Sequence, residues 1–338
     1  MAKVSIPTVT LNNGGKLPVL GYGTWLGFDE KLDPRIFDVP KLIETLSYAI
    51  DIGYRHIDTA HFYRVEPEVG QVVNEKIKLG IVKRDELFIT TKVWQNYHRE
   101  ADVEVSVRAS LKRLNLDYLD QVLIHWPVSV SENGVDEKID YLETWRGFES
   151  VLAKGLTKSI GVSNFNVDQL RRLLANCKVI PATNQIEVNL NLGQNELVEY
   201  CQSHNIVVVA YSPFGTMVPG QGPPDSPEPK LNNPTLVAIA KKYGKTVTQI
   251  TLRYLRGLVS IPKTVTKARV LENATIFDFI IDDDDVKTLA QFNNGYRTVT
   301  SNFYQDYENY PFEKPSGEKQ QLPSSFLKWK NGVNGDIE

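Results

Sequence analysis

Cysteine is scarce: Cys177 and Cys201 are the two in 338 residues, and neither stands in a C-x-x-C or metal-ligand spacing. One disulfide is arithmetically possible, but so low a content suits a reducing compartment. A chain of this length buries roughly three quarters of its unfolded surface and needs no staple. No stretch approaches the roughly 20 consecutive apolar residues of a membrane-spanning helix. The opening MAKVSIPTVT lacks an apolar core followed by a cleavage pattern, so no signal peptide is expected. The sequon Asn273-Ala274-Thr275 is then set aside as chance. Basic runs and basic aromatic patches are also missing, and net charge is −3, which argues against nucleic-acid and membrane-surface partners. The remaining expectation is a soluble, cytoplasmic, monomeric protein acting on a small molecule.

What is present is an alternation of short apolar runs and amphipathic stretches. Val9, Leu11 and Leu17–Leu20 flank the turn residues Asn12–Gly15 and predict an N-terminal β-hairpin. Strand candidates follow at Arg55–Asp58, Leu87–Thr91, Gln121–Ile124, Lys158–Val162, Ala182–Glu187, Ile206–Tyr211 and Leu258–Ile261. Helical patterns fall between them at Lys41–Ile50, Val103–Leu114, Tyr141–Ala153, Val167–Leu174, Asn195–His204 and Leu236–Tyr243. Runs such as VVVAY and QVLIHW are those of parallel strands covered on both faces. The fold class is therefore α/β, and a (β/α)8 barrel accommodates about eight such units better than an open sheet does. One domain over 1–338 is expected, with a core of about 9–292 and a segment 293–338 partly covering the pocket. Gly215–Asn233, rich in proline, predicts a long loop. Asp282–Asp285 either starts a helix Val286–Phe292, where a helix dipole favours negative charge, or forms a solvated turn. The segment from Gly295 onward carries Tyr296, Phe303, Tyr304, Tyr307, Tyr310 and Phe312, too aromatic for a disordered tail.

Barrel active sites lie where strands end. Asp58, Lys92 and His125 close three of the runs, and Tyr63 follows Asp58 on the next loop. Ser163, Asn164, Gln185, Glu187, Tyr211 and Ser212 close the others. A buried Asp–Lys pair, a single His or a packed Tyr is ordinary alone. All of them at one mouth are harder to attribute to packing, because buried charge is costly. The set suits carbonyl reduction. A tyrosine phenol has a reference pKa near 10, and an adjacent ammonium favours the phenolate. Lowering it by about two units requires about 2.7 kcal/mol of differential interaction. Asp58 would hold Lys92 charged, and His125 would orient the carbonyl oxygen. A metallohydrolase using His56, Asp58, His61 and His125 is the alternative of another class. A barrel that binds cofactor with little turnover is a third.

The segments GYRHIDTAHFY, ITTKVW, LDYLDQVLIHWP, IGVSNF, NQIEVN, AYSPFG and IPKTVTKARVLENATIFDF resemble, in order and spacing, the aldo-keto reductase superfamily. The resemblance covers about Val9 to Phe279. It implies a (β/α)8 TIM barrel with NADPH/NADP+ lying across its C-terminal mouth, and a tetrad of Asp58, Tyr63, Lys92 and His125. It also explains why no G-x-G-x-x-G fingerprint occurs: GYGTWL fails at its last position. By position, Ser163, Asn164 and Gln185 match the residues that bind the carboxamide, and Tyr211 the ring that stacks on the nicotinamide. Lys263, Thr264, Val265, Arg269, Glu272 and Asn273 match the adenosine and 2′-phosphate site. Thr24, Trp25, Ser212 and Phe214 would border cofactor or substrate. Trp25, Phe62, Trp94 and Trp126 would line an apolar pocket together with aromatics after Tyr296. Departures include Thr264 for the usual serine, Val65 before Glu66, and Leu26 where some members carry a cofactor-latching lysine. The chain also carries extra residues between Trp25 and Lys41. Within the family the chain resembles the arthropod branch that includes ecdysteroid-ketone reductases.

Overall fold

Strands form where apolar residues run without interruption, since both faces of a parallel sheet are covered. The computed structural model describes residues 3–29, 34, 38–218, 225–315, 319–323 and 326. The hairpin strands β1 (Thr8–Thr10) and β2 (Lys16–Pro18) pair antiparallel. Eight parallel strands follow: β3 (Tyr22–Gly23), β4 (His56–Asp58), β5 (Phe88–Val93), β6 (Gln121–Ile124), β7 (Ile160–Ser163), β8 (Thr183–Glu187), β9 (Val207–Tyr211) and β10 (Val259–Ser260). Each pairs with its neighbour in sequence. Leu20 bridges Ser260, and Gly21 N and Gly23 N donate to Ser260 O (2.8 Å) and Pro262 O (3.2 Å), which closes the barrel.

The helices are α1 (Val39–Ile52), α2 (Glu66–Lys78), α3 (Glu100–Leu114), α4 (Tyr141–Ala153), α5 (Val167–Leu174), α6 (Asn195–Ser203), α7 (Pro234–Tyr243), α8 (Val247–Tyr254), α9 (Lys267–Ala274) and α10 (Asp283–Ala290). Side-chain caps fix several starts: Asp140 for α4, Asn166 for α5, Asn233 for α7 and Thr246 for α8. Asp282 accepts from Asp285 N at 2.9 Å, so the acidic run does begin a helix, which ends at Ala290 rather than Phe292.

The pattern misses four elements: β3, α2, α8 and α9. Strand β3 has two residues and one is glycine, so it has no apolar run to read. A Cβ on Gly23 would lie 2.7 Å from the Ile261 carbonyl oxygen, so glycine lets the first strand approach the last. The hairpin spans the strand starts. Leu11 and Leu17 pack with Phe88, Val209, Val259 and Ile261, and Asn12 and Asn13 donate to the carbonyls of Pro181 (2.9 Å) and Lys158 (2.9 Å). In the Gly215–Asn233 loop the described residues hold no helix or strand; 219–224 lie outside the described residues, as do 327–338 at the chain end.

Candidate active site

The opposite end of the barrel gathers the polar strand ends. Strand β4 delivers Asp58, and a single 3-10 turn, His61–Tyr63, then turns Tyr63 back toward it. That turn rests on a buried ionic network. Arg113 Nε donates to Glu66 Oε2 (2.7 Å), Arg113 Nη2 meets His61 Nδ1 (2.6 Å), and Thr91 Oγ1 donates to Glu66 Oε1 (2.6 Å). The sequence reading quoted Glu66 without a role and missed Arg113, which lies on α3 far from any motif.

The centre is tightly specified. Lys92 Nζ donates to Asp58 Oδ1 (2.7 Å), to the Thr59 carbonyl (3.0 Å) and to the Tyr63 hydroxyl oxygen (3.1 Å). With that oxygen accepting from the ammonium, the phenol's own proton points elsewhere. Gln185 Nε2 donates to Asp58 Oδ2 at 2.8 Å, so both carboxylate oxygens are held. The His125 ring lies 5.8 Å from the Tyr63 ring and 5.1 Å from Trp94. Asn164 donates to the His125 carbonyl (3.0 Å) and accepts from the Tyr211 hydroxyl (2.7 Å). Asn164 and Ser212 hold positive φ, 63° and 45°, an uncommon conformation for serine and one that asparagine tolerates better.

The electrostatics correct one expectation. Burial, reinforced by the Asp58 carboxylate, pushes the Tyr63 phenol well above its ordinary pKa. Desolvation of the phenolate outweighs the neighbouring ammonium. Lys92 is itself pulled below its ordinary value by burial, against the upward pull of Asp58. Burial and Lys92 hold His125 well below its ordinary value, so its imidazole is neutral at pH 7. The resting site thus holds a protonated phenol, a paired ammonium and a neutral imidazole. His56, Asp58, His61 and His125 do not converge as ligands; among the described residues no group of three His, Cys, Asp or Glu is placed to hold a metal ion.

The aldo/keto reductase family profile matches residues 19–294. The chain belongs to that family. Aldo-keto reductase AKR2E4 of Bombyx mori is 44% identical over 310 residues, spanning 91% of this chain and 99% of that protein. The crystal structure of AKR2E5 of the silkworm, complexed with NADPH, superposes with a TM-score of 0.94 at 68% identity, covering 98% of this chain and all of that one. Estradiol 17 beta-dehydrogenase 5 of Mus musculus is 38% identical over 320 residues, 90% of this chain and 97% of that protein.

Around this aldo/keto reductase centre, the remaining sequence-picked residues fall into three groups. Thr24, Ser163, Asn164 and Gln185 are buried at strand ends, while Trp25, Tyr211, Ser212 and Phe214 are half-buried. Gln185 donates its amide nitrogen to Asp58. The second group borders α9. Thr264 and Asn273 are buried, Lys263 and Val265 half-buried, and Arg269 exposed with no partner among the described residues. Glu272 accepts from the Thr246 (2.6 Å) and Thr248 (2.5 Å) hydroxyls, so its carboxylate is committed to the start of α8. The third group is the aromatic wall. Phe62 stacks on Trp94 at 3.9 Å and 7°, Trp25 on Phe62 at 5.5 Å, and Trp126 meets Phe312 at 5.5 Å. Phe28, missed by the sequence reading, joins it, as does Phe326, one of the aromatics after Tyr296: Phe326 lies 4.7 Å from Phe62 and 5.5 Å from Trp94. Tyr296 is not part of it. Phe28 sits in a stretch without periodicity.

Proposed function

We propose that this chain is an NADPH-dependent reductase of aldehydes and ketones, with Tyr63 as proton donor. The observation that carries the reading is the 3.1 Å bond from Lys92 Nζ to the Tyr63 hydroxyl, with Asp58 2.7 Å behind the ammonium. One feature fits a bound dinucleotide: Arg269 is an exposed guanidinium, without a partner among the described residues, suited to a phosphate. Ser163, Asn164, Gln185 and Tyr211 would hold its nicotinamide end. Lys263, Thr264, Val265, Arg269 and Asn273 would hold its adenosine end, with Thr24, Trp25, Ser212 and Phe214 along its edge. NADPH, when bound, supplies the hydride to the carbonyl carbon.

The protein's own groups do the rest. Tyr63 gives its proton to the carbonyl oxygen, and Lys92 stabilises the phenolate that this leaves. The cation therefore acts on the product of proton transfer rather than on the resting acid. Asp58 and Gln185 keep Lys92 in place. Neutral His125 offers an N–H to the carbonyl oxygen and orients it. Trp25, Phe62, Trp94 and Trp126 exclude water and favour apolar substrates. An apolar wall of this kind would also suit a steroid (ecdysteroid-type) ketone, the second reading. The single domain over 1–338 is read as a cytoplasmic monomer.

The test is NADPH oxidation with a reactive aromatic aldehyde. Tyr63→Phe should lower kcat by about 10²–10⁴-fold with NADPH affinity little changed. Equal rates in the two proteins would remove Tyr63 as the acid.

A further inference from the structure

Glu187 ends β8 and has no part in the reaction described above. Its side chain is nonetheless 0% exposed, and no cation pairs with it among the described residues. A carboxylate buried without a cation survives only where N–H donors replace water. The donors come from 111 and 112 residues further along the chain. Thr298 N donates to Oε1 and Val299 N to Oε2, both at 2.9 Å, and Asn189 Nδ2 adds a bond to Oε1 at 3.1 Å.

Two successive backbone amides grasping both oxygens of one carboxylate fix position and direction together. Just beyond this point the chain reaches Phe303 and Tyr304, and Tyr304 packs against Trp126 at 6.5 Å. The other described fastenings of the segment include neutral ones, such as Asn166 Nδ2 to Pro311 O (3.0 Å), an exposed one, Glu308 N to Asp136 Oδ2 (2.8 Å), and a longer part-buried one from the Arg297 guanidinium to Gln194 Oε1 (3.4 Å). Glu187 is also the register partner of Tyr211, so the fastening point sits on the strand pair that carries a ring proposed to face the nicotinamide.

We propose that Glu187 is a positioning residue that fixes the C-terminal segment over the mouth and so sets the fit of bulky carbonyl substrates. This rests on the reductase reading.

Glu187→Gln keeps the size but turns an amide NH2 toward one of the two N–H groups. With NADPH saturating, KM for a bulky apolar ketone should rise about tenfold. KM and kcat for a small aldehyde should stay within about twofold of wild type. Hydrogen exchange at the Thr298 and Val299 amides should speed up in the variant. In the wild-type protein those two amides should exchange more slowly than those of Thr300 and Ser301, a comparison that requires no variant to fold.

An unchanged KM ratio, a uniform loss of kcat for all substrates, or fast exchange at Thr298 and Val299 in wild type would each overturn the proposal. A wild-type protein that reduces no carbonyl would sink the reductase reading instead, and the exchange data would still judge the fastening.

Discussion

At Tyr63 the decisive quantity is how deep the hydroxyl lies. Its pKa is raised, and that of His125 is lowered from 6.5, so neither group changes protonation across neutral pH. The expected outcome is a kcat that is level from about pH 7 to 9 in the absence of a slow release step; a tyrosine step near neutrality would contradict it. Lys92→Met should cost about 10²-fold or more in kcat, because the phenolate then forms against Asp58 without its counter-ion. Asp58, Lys92 and His125 were legible as candidates because each closes an apolar run, and Tyr63 because it follows Asp58 on the next loop; a run's end can be read without coordinates. The direction of the Tyr63 shift was not legible. It depends on the balance of desolvation against one ammonium, and no local pattern encodes burial depth. Buried histidines add an effect on stability. Burial pulls His56 to about 4 and His98 to about 3. Their folded values lie below the unfolded one, so protonation favours the unfolded chain. Their contribution is intact above about pH 6.5 and is lost progressively as pH falls toward 4 and 3. The urea midpoint should therefore drop between pH 7 and 4, and His98→Phe should make that drop shallower.

Among the elements, β3 and the turn that carries Tyr63 are the most exacting. Gly23→Ala places a methyl 2.7 Å from the Ile261 carbonyl, and overpacking of this kind costs about 1–3 kcal/mol. Denaturant melts should show that loss, and an unchanged midpoint would mean that the first and last strands can separate without penalty. Arg113→Ala leaves Glu66, 1% exposed, without its cation. Breaking such a pair costs about 3–5 kcal/mol. Since the same network supports His61–Tyr63, activity should fall further than the folded fraction does. Helices with long amphipathic stretches, such as Tyr141–Ala153, were readable to the residue. Helix α2 opens with Glu66-Pro67-Glu68 and carries Gly70 inside it, which blurs its apolar stripe. Its glycine is explained only by the close approach of the Leu114 backbone, a tertiary fact.

For the whole molecule, alternation indicated about eight β/α units and favoured a barrel without settling its closure, and the aromatic composition of the C-terminal segment indicated a cover, but the contacts that cover makes were not legible. Phe326 reaches Phe62 and Trp94 across more than 200 residues of chain, beyond any periodic signal. Cofactor preference is a property at this scale, because Arg269 lies on α9, past the last barrel strand. Arg269→Ala should weaken NADPH binding about tenfold or more while changing NADH by less than about twofold. Equal losses for both would remove Arg269 from the phosphate site. The C-terminal segment, stitched to the loops after β6 and β7 and to the end of β8, carries a consequence for synthesis. Synthesis runs from the N-terminus, so the ribosome delivers all eight strands before the residues that roof the pocket. A nascent chain can complete its scaffold while its recognition surface is still inside the exit tunnel, and premature termination there would release a barrel with an open mouth.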